Sequence, residues 1–423
     1  MNQNKVSYNF GKKGWSIIGF EVVLLFFMTG MTVDGLNIIV PQIAAFRGWS
    51  ADVILSISTP ASIIALFAVA LWGAFIQKFG LKNVLVTTMF LASASTIWYG
   101  HASSIAQYAI ALTLMVVFIN AFAVICGFAV CANWFPTKKG IVMGLTTIGM
   151  NLASAIINLI LNALTARFNI AWAITIMGIV IAVVAVLVII FVKATPEEAG
   201  CYPDNNPEIA ALIHKEEEMQ KDVAGISYLG ALKDVKVWVF GIAYGCFGLS
   251  TVGIMSQLVS YFQDARSMDL NTALYTVTAA AVIGMVGSWL WGVVDQKIGT
   301  KKTSVIFGIW YFIGILLLIM PAKPLMYIGI IMLGGAIGGN GNFAPSMASY
   351  VFGRKDFSIC YSCMNTIVGV VRSCSFILLG VVRAMFNGYE IPYIIFAAIS
   401  LIGSGLIAVV KVKGAVGSSL EEK

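Results

Sequence analysis

The stretch WGAFIQKFGLKN, residues 72–83, returns 219 positions later as WGVVDQKIGTKK, residues 291–302. Each copy ends a long apolar run with the same arrangement of tryptophan, glycine and lysine. A second pair of related segments, WFPTKKG at 134–140 and VFGRKDF at 351–357, repeats at nearly the same separation. Two such pairs in the same order indicate that the chain consists of two similar halves joined in tandem.

The composition places most of this chain in lipid. Of its 423 residues, 59% are hydrophobic and only 11% are charged, whereas about a quarter of the residues of a soluble domain carry a charge. The net charge of +7 matches the attraction of basic residues to anionic lipid headgroups. We therefore expect membrane lipids, and no nucleic acid, to account for the excess of basic residues.

Apolar runs long enough to cross a bilayer as a helix, about 20 residues, occur twelve times. They span roughly residues 15–40, 53–76, 83–100, 104–131, 140–164, 170–192, 237–262, 272–294, 303–321, 324–349, 357–382 and 391–410. The sequence predicts an all-α membrane protein with twelve transmembrane helices in two six-helix bundles, 1–192 and 237–423. A polar linker, 193–236, joins them, and Asn206 and Pro207 predict a short helix within it.

Basic residues are distributed unevenly between alternate loops. Twenty lysine and arginine residues fall on the side that includes both termini, and five fall on the other side. Because short basic loops stay in the cytoplasm, we expect both termini and the linker to be cytoplasmic in a multi-pass protein of the cell membrane. The first apolar run is longer than the core of a cleavable signal peptide, so it is expected to remain as a helix.

The repeated segment resembles the signature that the major facilitator superfamily carries between its second and third helices. That signature reads glycine, three residues, aspartate, arginine or lysine, one residue, glycine and then basic residues. The matching positions are Gly73, Lys78, Gly80 and Lys82 in the first half and Gly292, Lys297, Gly299 and Lys301 in the second. The resemblance implies a transporter fold and a conformational role for these glycines and lysines. The acidic position holds Gln77 and Gln296 instead, with Asp295 one place early.

Two further segments, CANWFPTKKGIVMGLTTIGMNLAS at 131–154 and LKDVKVWVFGIAYGCF at 232–247, resemble the oxalate/formate antiporter and monocarboxylate transporter branch. That resemblance implies a secondary transporter of a small organic anion, working as a monomer by alternating access with proton symport or anion exchange. We expect the anion to be a monocarboxylate. A nutrient sensor on the same fold is the other function class. It would be expected to carry a signalling domain, for which the terminal tails are expected to be too short.

Ionisable residues inside the apolar runs are the first site candidates, because each costs about 2.5–3.5 kcal/mol at a helix centre on insertion scales. They are Glu21, Asp34 and Arg372. Arg372 follows Tyr361 and Asn365 at helical spacing, and its planar fork matches a carboxylate. The alternative for Arg372 is a structural pair with carbonyl groups or with Asp34. Glu21 is expected to reach the headgroups or to form a structural pair.

Asp34 lies on the first helix, on one stripe with Asn37. A carboxylate near the membrane centre is either paired or takes up a proton. Three roles are therefore open: proton coupling, a counter-ion for Arg372, or a ligand for a cationic amine. The third role would make the chain an importer or exporter of an amine, an amino acid or a drug-like cation.

Further polar residues recur at helical spacing in the apolar runs. We expect a set of polar residues on four helices to bind substrate in a central cavity. They are Asn37 of the first helix, Asn151 and Asn158 of the fifth, Gln257 and Tyr261 of the seventh, and Tyr361, Asn365 and Arg372 of the eleventh. Hydrogen bonds between helices are the alternative for these stripes.

The tenth helix contains GGAIGGNGNFAPS at 334–346. It follows no strand, so we do not expect a phosphate-binding loop. Glycine and proline instead permit a kink or local unwinding beside a cavity, and Asn340 and Pro345 are therefore gating candidates. With two histidines and seven cysteines, most of them in apolar helices, no cofactor, metal site or enzymatic activity is expected.

Overall fold

The computed structural model describes residues 7–219 and 225–412. In this part of the chain the backbone is helical, without a strand. Within these described residues, ten helices are long and apolar enough to cross a membrane. We number twelve crossings, of which the first six are α1 (Gly11–Thr29, Gly30–Asp34 and Leu36–Arg47), α2 (Ala51–Phe79), α3 (Leu81–His101), α4 (Ile105–Asn120, Ala121–Gly127 and Phe128–Trp134), α5 (Lys139–Thr146 and Ile148–Arg167) and α6 (Ile170–Phe191).

The other six crossings follow the linker. They are α7 (Val235–Met255 and Leu258–Arg266), α8 (Leu270–Ile298), α9 (Thr300–Ile319), α10 (Lys323–Gly339 and 343–352), α11 (354–373 and Ser375–Phe386) and α12 (Glu390–Val409). The sequence predicted a loop between the tenth and eleventh helices, but Gly353 alone turns the chain there, at φ 63° and ψ −170°. Glycine adopts this conformation without the clash that a Cβ would cause.

The repeated segment forms the same turn in both halves. Gly80 joins α2 to α3 at φ 83° and ψ 146°, and Gly299 joins α8 to α9 at φ 85° and ψ 148°. A positive φ of this kind favours glycine, so the repeated glycine is required for a one-residue connection. We call the side of the helix array that carries Gly80 and Gly299 the motif face.

The two halves, α1–α6 and α7–α12, pack together through α2 against α11 and through α5 against α8. The first glycine of each repeated segment lies at one of these contacts. A Cβ on Gly73 would lie 2.6 Å from the Cα atom of Ile359, and a Cβ on Gly292 would lie 2.9 Å from the Cα atom of Gly144. Any side chain at either glycine would therefore force the halves apart.

The two glutamines of the repeated segments donate hydrogen bonds at the motif face. Gln77 Nε2 donates to the carbonyl oxygen of Ile226, which precedes α7, at 3.2 Å. Gln296 Nε2 donates to the carbonyl oxygen of Thr137, in the loop between α4 and α5, at 2.7 Å. An ionised carboxylate cannot donate to a carbonyl group, so the departure from the acidic signature gives each repeated segment a neutral bond, one to the linker and one to the loop between α4 and α5.

Only the second of the two repeated segments contains a carboxylate, that of Asp295. It is buried, and its Oδ2 accepts a hydrogen bond from Ser346 Oγ at 2.7 Å. A Cβ on Gly140, in the first turn of α5, would lie 2.8 Å from Asp295 Cγ. A negative group beside the first turn of a helix is favoured by the helix dipole, so Asp295 stabilises the contact of α8 with α5.

The linker packs on the motif face. Its helix Pro207–Met219 begins with Asn206 Oδ1 accepting a hydrogen bond from the Glu208 backbone N–H at 2.9 Å. Asp204 is buried, and its carboxylate accepts from the Thr137 N–H at 3.0 Å and from the Thr137 hydroxyl at 2.8 Å. Burial raises the pKa of Asp204, although these bonds oppose the shift. The linker thus holds the same loop to which Gln296 donates.

Hydrogen bonds between the halves extend from the motif face only as far as the middle of the helices. The innermost are from Asn151 Nδ2 to Ser288 Oγ at 3.0 Å and from Thr366 Oγ1 to the Leu66 carbonyl oxygen at 3.3 Å. The second segments of α1, α7 and α11 lie beyond these two bonds. Within residues 7–219 and 225–412, none of these segments forms a hydrogen bond to the other half. The halves therefore part toward the face opposite the motif face.

Candidate functional site

A cavity of about 440 Å³ lies between the halves, above their innermost contacts. Helices α1, α2, α4, α5, α7, α10 and α11 line it with both apolar and polar side chains. The polar lining residues are Thr29, Thr32, Asp34, Ser62, Asn120, Asn151, Ser154, Tyr244, Thr251, Asn340, Tyr361, Asn365 and Arg372. Among them Arg372 is the one cation and Asp34 the one carboxylate, so both halves contribute a charge to the same space.

Arg372 presents its guanidinium to the cavity. The side chain is exposed, because the cavity that it lines is open. Its stem packs on α7, where a Cβ on Gly248 would lie 3.3 Å from Arg372 Cδ. Within the described chain the guanidinium forms neither a hydrogen bond nor an ion pair, so all five N–H donors are available to a ligand.

Asp34 lines the same cavity from the other half and is not paired with Arg372. Its Oδ2 accepts a hydrogen bond from Ser154 Oγ at 2.6 Å. The preceding π-helical segment, Gly30–Asp34, ends at this residue, and Asn37 Nδ2 donates to the Asp34 carbonyl oxygen at 3.0 Å. The side chain is half-buried. With a single hydroxyl partner, the carboxylate can still accept a hydrogen bond from a group in the cavity.

The face predicted for α11 does line the cavity. Tyr361, Asn365 and Arg372 all contribute to its wall, as the spacing of four and seven residues requires. Asn151 also lines it, with its amide nitrogen shared between the Thr147 carbonyl oxygen and Ser288 Oγ. The α10 residues Asn340 and Pro345 complete the set of sequence candidates that the structure brings together.

Four other candidates lie outside the cavity wall. Asn37 bonds to its own helix, and Asn158 Oδ1 is buried without a partner in the described chain. Gln257 Oε1 accepts from Arg383 Nη1 at 3.0 Å, and Tyr261 donates to the Leu318 carbonyl oxygen at 3.0 Å. The helix of α7 is interrupted at Ser256 and Gln257. Residues before and after this break therefore do not share one face, although their spacing is helical.

The polar lining residues outside the sequence candidates for substrate binding include Asn120 and Tyr244. Asn120 of α4 lies just before the π-helical segment Ala121–Gly127, and a single asparagine in the run MVVFINAFAV was the available signal. Tyr244 of α7 lines the cavity with its ring, while its hydroxyl shares a hydrogen bond with Ser304 Oγ at 2.9 Å. Within the described residues no cluster of three or more histidine, cysteine or acidic side chains could hold a metal ion.

Glu21 differs from its expected position. The sequence predicted that it reaches the headgroups or forms a structural pair, but the side chain is buried inside the first half, 2% exposed. Neither carboxyl oxygen has a hydrogen-bond partner in the described chain. The reason is local: Gly127 of α4 has no side chain, and the Glu21 carboxyl group fills the space that a Cβ there would occupy.

The profile of the Major Facilitator Superfamily matches residues 22–294, well over half of the chain. The chain belongs to the Major Facilitator Superfamily. Members of this superfamily are multi-pass membrane transporters of small molecules and not enzymes. The twelve-helix fold predicted from the sequence is confirmed by this match and by the structural comparisons.

Relatives within the superfamily are distant. The chain is 22% identical over 348 residues to the probable sulfoacetate transporter SauU of Cupriavidus necator, covering 80% of each protein. The solved structure of the proton:xylose symporter XylE matches with a TM-score of 0.74 at 12% identity, covering 96% of this chain and 97% of that one. The human organic anion transporter MFSD10 matches with a TM-score of 0.68 at 12% identity, covering 92% and 97%. Structural matches at this identity establish the fold alone.

Proposed function

We propose that this superfamily member is a secondary active transporter of a small organic anion, preferentially a monocarboxylate. The observation that carries the proposal is the free guanidinium of Arg372 in a cavity that both halves line. A guanidinium without a protein partner offers two parallel N–H donors to a carboxylate. A single cation among the lining residues favours one acidic group per substrate over a doubly charged anion.

The amides and hydroxyls around Arg372 would position the rest of the substrate. Asn365 and Tyr361 lie on the same helix face, and Asn151 approaches from the other half. A ligand that bridges these groups bonds to both halves at once, which is what alternating access requires of the binding step. The relative SauU, a probable sulfoacetate transporter, supports an organic anion as the cargo class.

Asp34 is proposed as the proton-coupling group. When a carboxylate binds Arg372, a second negative charge enters the cavity that already contains Asp34, and repulsion in a low-dielectric space favours proton uptake by that aspartate. Substrate and proton would then cross together. Anion exchange is the other form of coupling, in which a second carboxylate returns in place of the proton.

A second candidate function rests on the same aspartate. Because Asp34 bonds to Ser154 and not to Arg372, its remaining lone pairs face the cavity and suit a cationic amine. The chain would then import or export an amine, an amino acid or a drug-like cation. An amino acid would use Arg372 and Asp34 together.

The conformational part of the proposal uses the two bundles as moving units. Residues 1–192 and 237–423 would rock about the central site, with the linker 193–236 and both termini in the cytoplasm of the cell membrane. The motif face is then cytoplasmic and the open side external.

Helix contacts at Gly73 and Gly292 and the turns at Gly80 and Gly299 would guide the movement, with Lys78 and Lys297 at the headgroups. Asn340 and Pro345 would act as a gate, and one chain suffices for a complete site.

Counterflow in proteoliposomes tests the binding assignment. A panel of short carboxylates, amino acids and amines is offered to the wild type and to Arg372→Lys and Arg372→Gln. We expect carboxylate affinity to fall about tenfold to a hundredfold in both, because bonds from a charged fork contribute about 1.5–3 kcal/mol. Arg167→Gln, an exposed arginine of α5 outside the cavity, is the matched control. Unchanged affinity in both Arg372 variants would contradict the assignment.

A further inference from the structure

A second carboxyl group lies buried in the membrane-spanning region, away from the central cavity. Glu21 of α1 is enclosed by α3, α4 and α6, beside a cavity of about 10 Å³ that it lines with Leu85, Val130 and Val188. The side chain is 2% exposed, and neither of its oxygens has a partner in the described residues. The transport mechanism proposed above does not use this group.

The neighbouring helix is shaped around this carboxyl group. The π-helical segment of α4 ends at Gly127, and a Cβ at Gly127 would overlap Glu21 Oε2. Single π-helical turns inside α-helices are frequent at functional sites. A helix that bulges and carries glycine where it meets an unpaired carboxyl group indicates a place made for that group.

No cation faces Glu21 from any of the surrounding helices in the described chain. The titratable groups nearby are the thiols Cys126 and Cys131 of α4 and the phenol of Tyr361 from α11. The sides formed by α3 and α6 present only apolar side chains to it. An ionised carboxylate without counter-charge or hydrogen bonds is strongly disfavoured in such surroundings, which leaves the neutral acid as the form that fits.

Phe128 and Tyr361 form the wall between this site and the central cavity. Both line the cavity, and their rings meet edge to face with centroids 6.0 Å apart. Phe128 follows Gly127 in the chain, and Tyr361 faces the Glu21 carboxyl group from the other half. Because Phe128 belongs to the first half and Tyr361 to the second, a movement of the halves against each other changes this wall.

We propose that Glu21 is a buried proton-binding site of this carrier, loaded in the conformation described here. Its proton leaves when the cavity opens to the motif face: the O–H bond of the carboxyl group breaks, a water molecule accepts the proton, and the carboxylate remains until the cavity opens outward again. No electron transfer is involved. The site adds one proton to each transport cycle, independently of Asp34 and of the identity of the cargo.

Infrared spectroscopy detects the loaded site directly. Purified carrier in lipid nanodiscs at neutral pH should show the carbonyl stretch of a protonated carboxyl group. The part of that band due to Glu21 should disappear in Glu21→Gln and persist in Asp34→Asn. A spectrum that is identical in the wild type and in Glu21→Gln would overturn the proposal.

Uptake driven by an imposed pH gradient tests the role of the site in transport. The slope of the logarithm of substrate accumulation against the gradient gives the number of protons per substrate. We expect Glu21→Gln to lower this slope by about one proton while counterflow remains. An unchanged slope in Glu21→Gln, or a wild type that ignores the gradient, would contradict proton coupling at Glu21. Failure of all carboxylates in counterflow would instead remove the proposed cargo and leave the infrared result standing.

The variant Glu21→Leu distinguishes the loss of proton binding from misfolding of the protein. If the acid is neutral and unpaired, an apolar side chain of similar size should leave thermal stability equal or higher, since no hydrogen bond is lost. Glu21→Leu and Glu21→Gln that both fail to fold would show that the carboxyl group has a structural partner, and the proposal would be wrong.

Discussion

Arg372 and Asp34 share a cavity as separate charges, each held by its own half. The arginine stem rests on Gly248, and the aspartate accepts from Ser154. A paired site would have to break its ion pair before binding a ligand, at the cost of desolvation and lost attraction. Unpaired groups meet a ligand directly, which favours a cargo that complements one charge or both.

Asp34→Asn separates the roles left open for this aspartate. Asparagine still accepts from Ser154 but cannot take up a proton, so carboxylate counterflow should survive while the response to a pH gradient falls by about one proton per substrate. The measurement is counterflow and gradient-driven uptake in the same proteoliposomes. Ser154→Ala, which removes the hydrogen bond and leaves the carboxylate, should keep gradient-driven uptake.

A different pattern would favour the second candidate function. If Asp34→Asn loses amine binding and leaves carboxylate counterflow and its pH dependence unchanged, the aspartate is an amine ligand. Proton coupling through Asp34 would then be wrong.

At the scale of helices, the site depends on which face of each element reaches the cavity and on the level along the helix at which a residue lies. On α11 the predicted face lines it, whereas on α5 Asn151 lines it and Asn158 does not. These two asparagines are seven residues apart on one helix, which makes them a matched pair for measuring accessibility.

Cysteine substitution should therefore distinguish lining from non-lining positions. In a background without reactive native cysteines, Asn365→Cys and Asn120→Cys should react with small polar thiol reagents added from the open side, and substrate should protect them. Asn158→Cys should react slowly, because its amide oxygen is buried. Leu187 of α6, exposed at 38% on the outer surface of the helix array, provides the lipid-facing control. Equal rates at positions 158 and 365 would contradict the cavity wall described here.

The number of helices and the internal repeat could be predicted from the sequence because both depend on local signals. Apolar runs of fixed length and a glycine that needs a positive φ are readable without knowledge of packing. The α7 residues Gln257 and Tyr261 could not be placed, since the helix breaks at Ser256 and turns the stripe. Glu21 was misplaced because its burial depends on a contact with Gly127, more than a hundred residues away.

At the scale of the whole molecule, the halves are held at the motif face by neutral hydrogen bonds as well as by helix packing. Gln77 and Gln296 occupy equivalent positions in the repeat. Gln77 donates to Ile226 of the linker, whose N–H in turn donates to Asp356 of α11, and Gln296 donates to Thr137 between α4 and α5. Each bond of this type contributes about 0.5–1.5 kcal/mol. Together they bias the carrier toward the conformation described here without a charge at the signature position.

Removing these bonds should shift the conformational equilibrium. Gln77→Ala and Gln296→Ala should each raise the population open at the motif face about two- to tenfold, and the double variant should exceed either alone. Distances between spin labels on α2 and α11 at the motif face measure that population. Gln263→Ala, an exposed glutamine of α7, is the control. A double variant with the wild-type distance distribution would show that the glutamines do not set the equilibrium.

The absence of hydrogen bonds between the halves on the open side, within the described residues, also determines how the carrier can be inhibited. A bulky carboxylate applied from that side can bind Arg372 with its large end protruding between the halves, where it prevents closure. Applied from the motif face, the same compound meets α2 packed on α11 and α5 packed on α8 and finds no opening. Blockade should accordingly be sided, and right-side-out and inside-out vesicles should differ in their sensitivity to a compound too large to be carried.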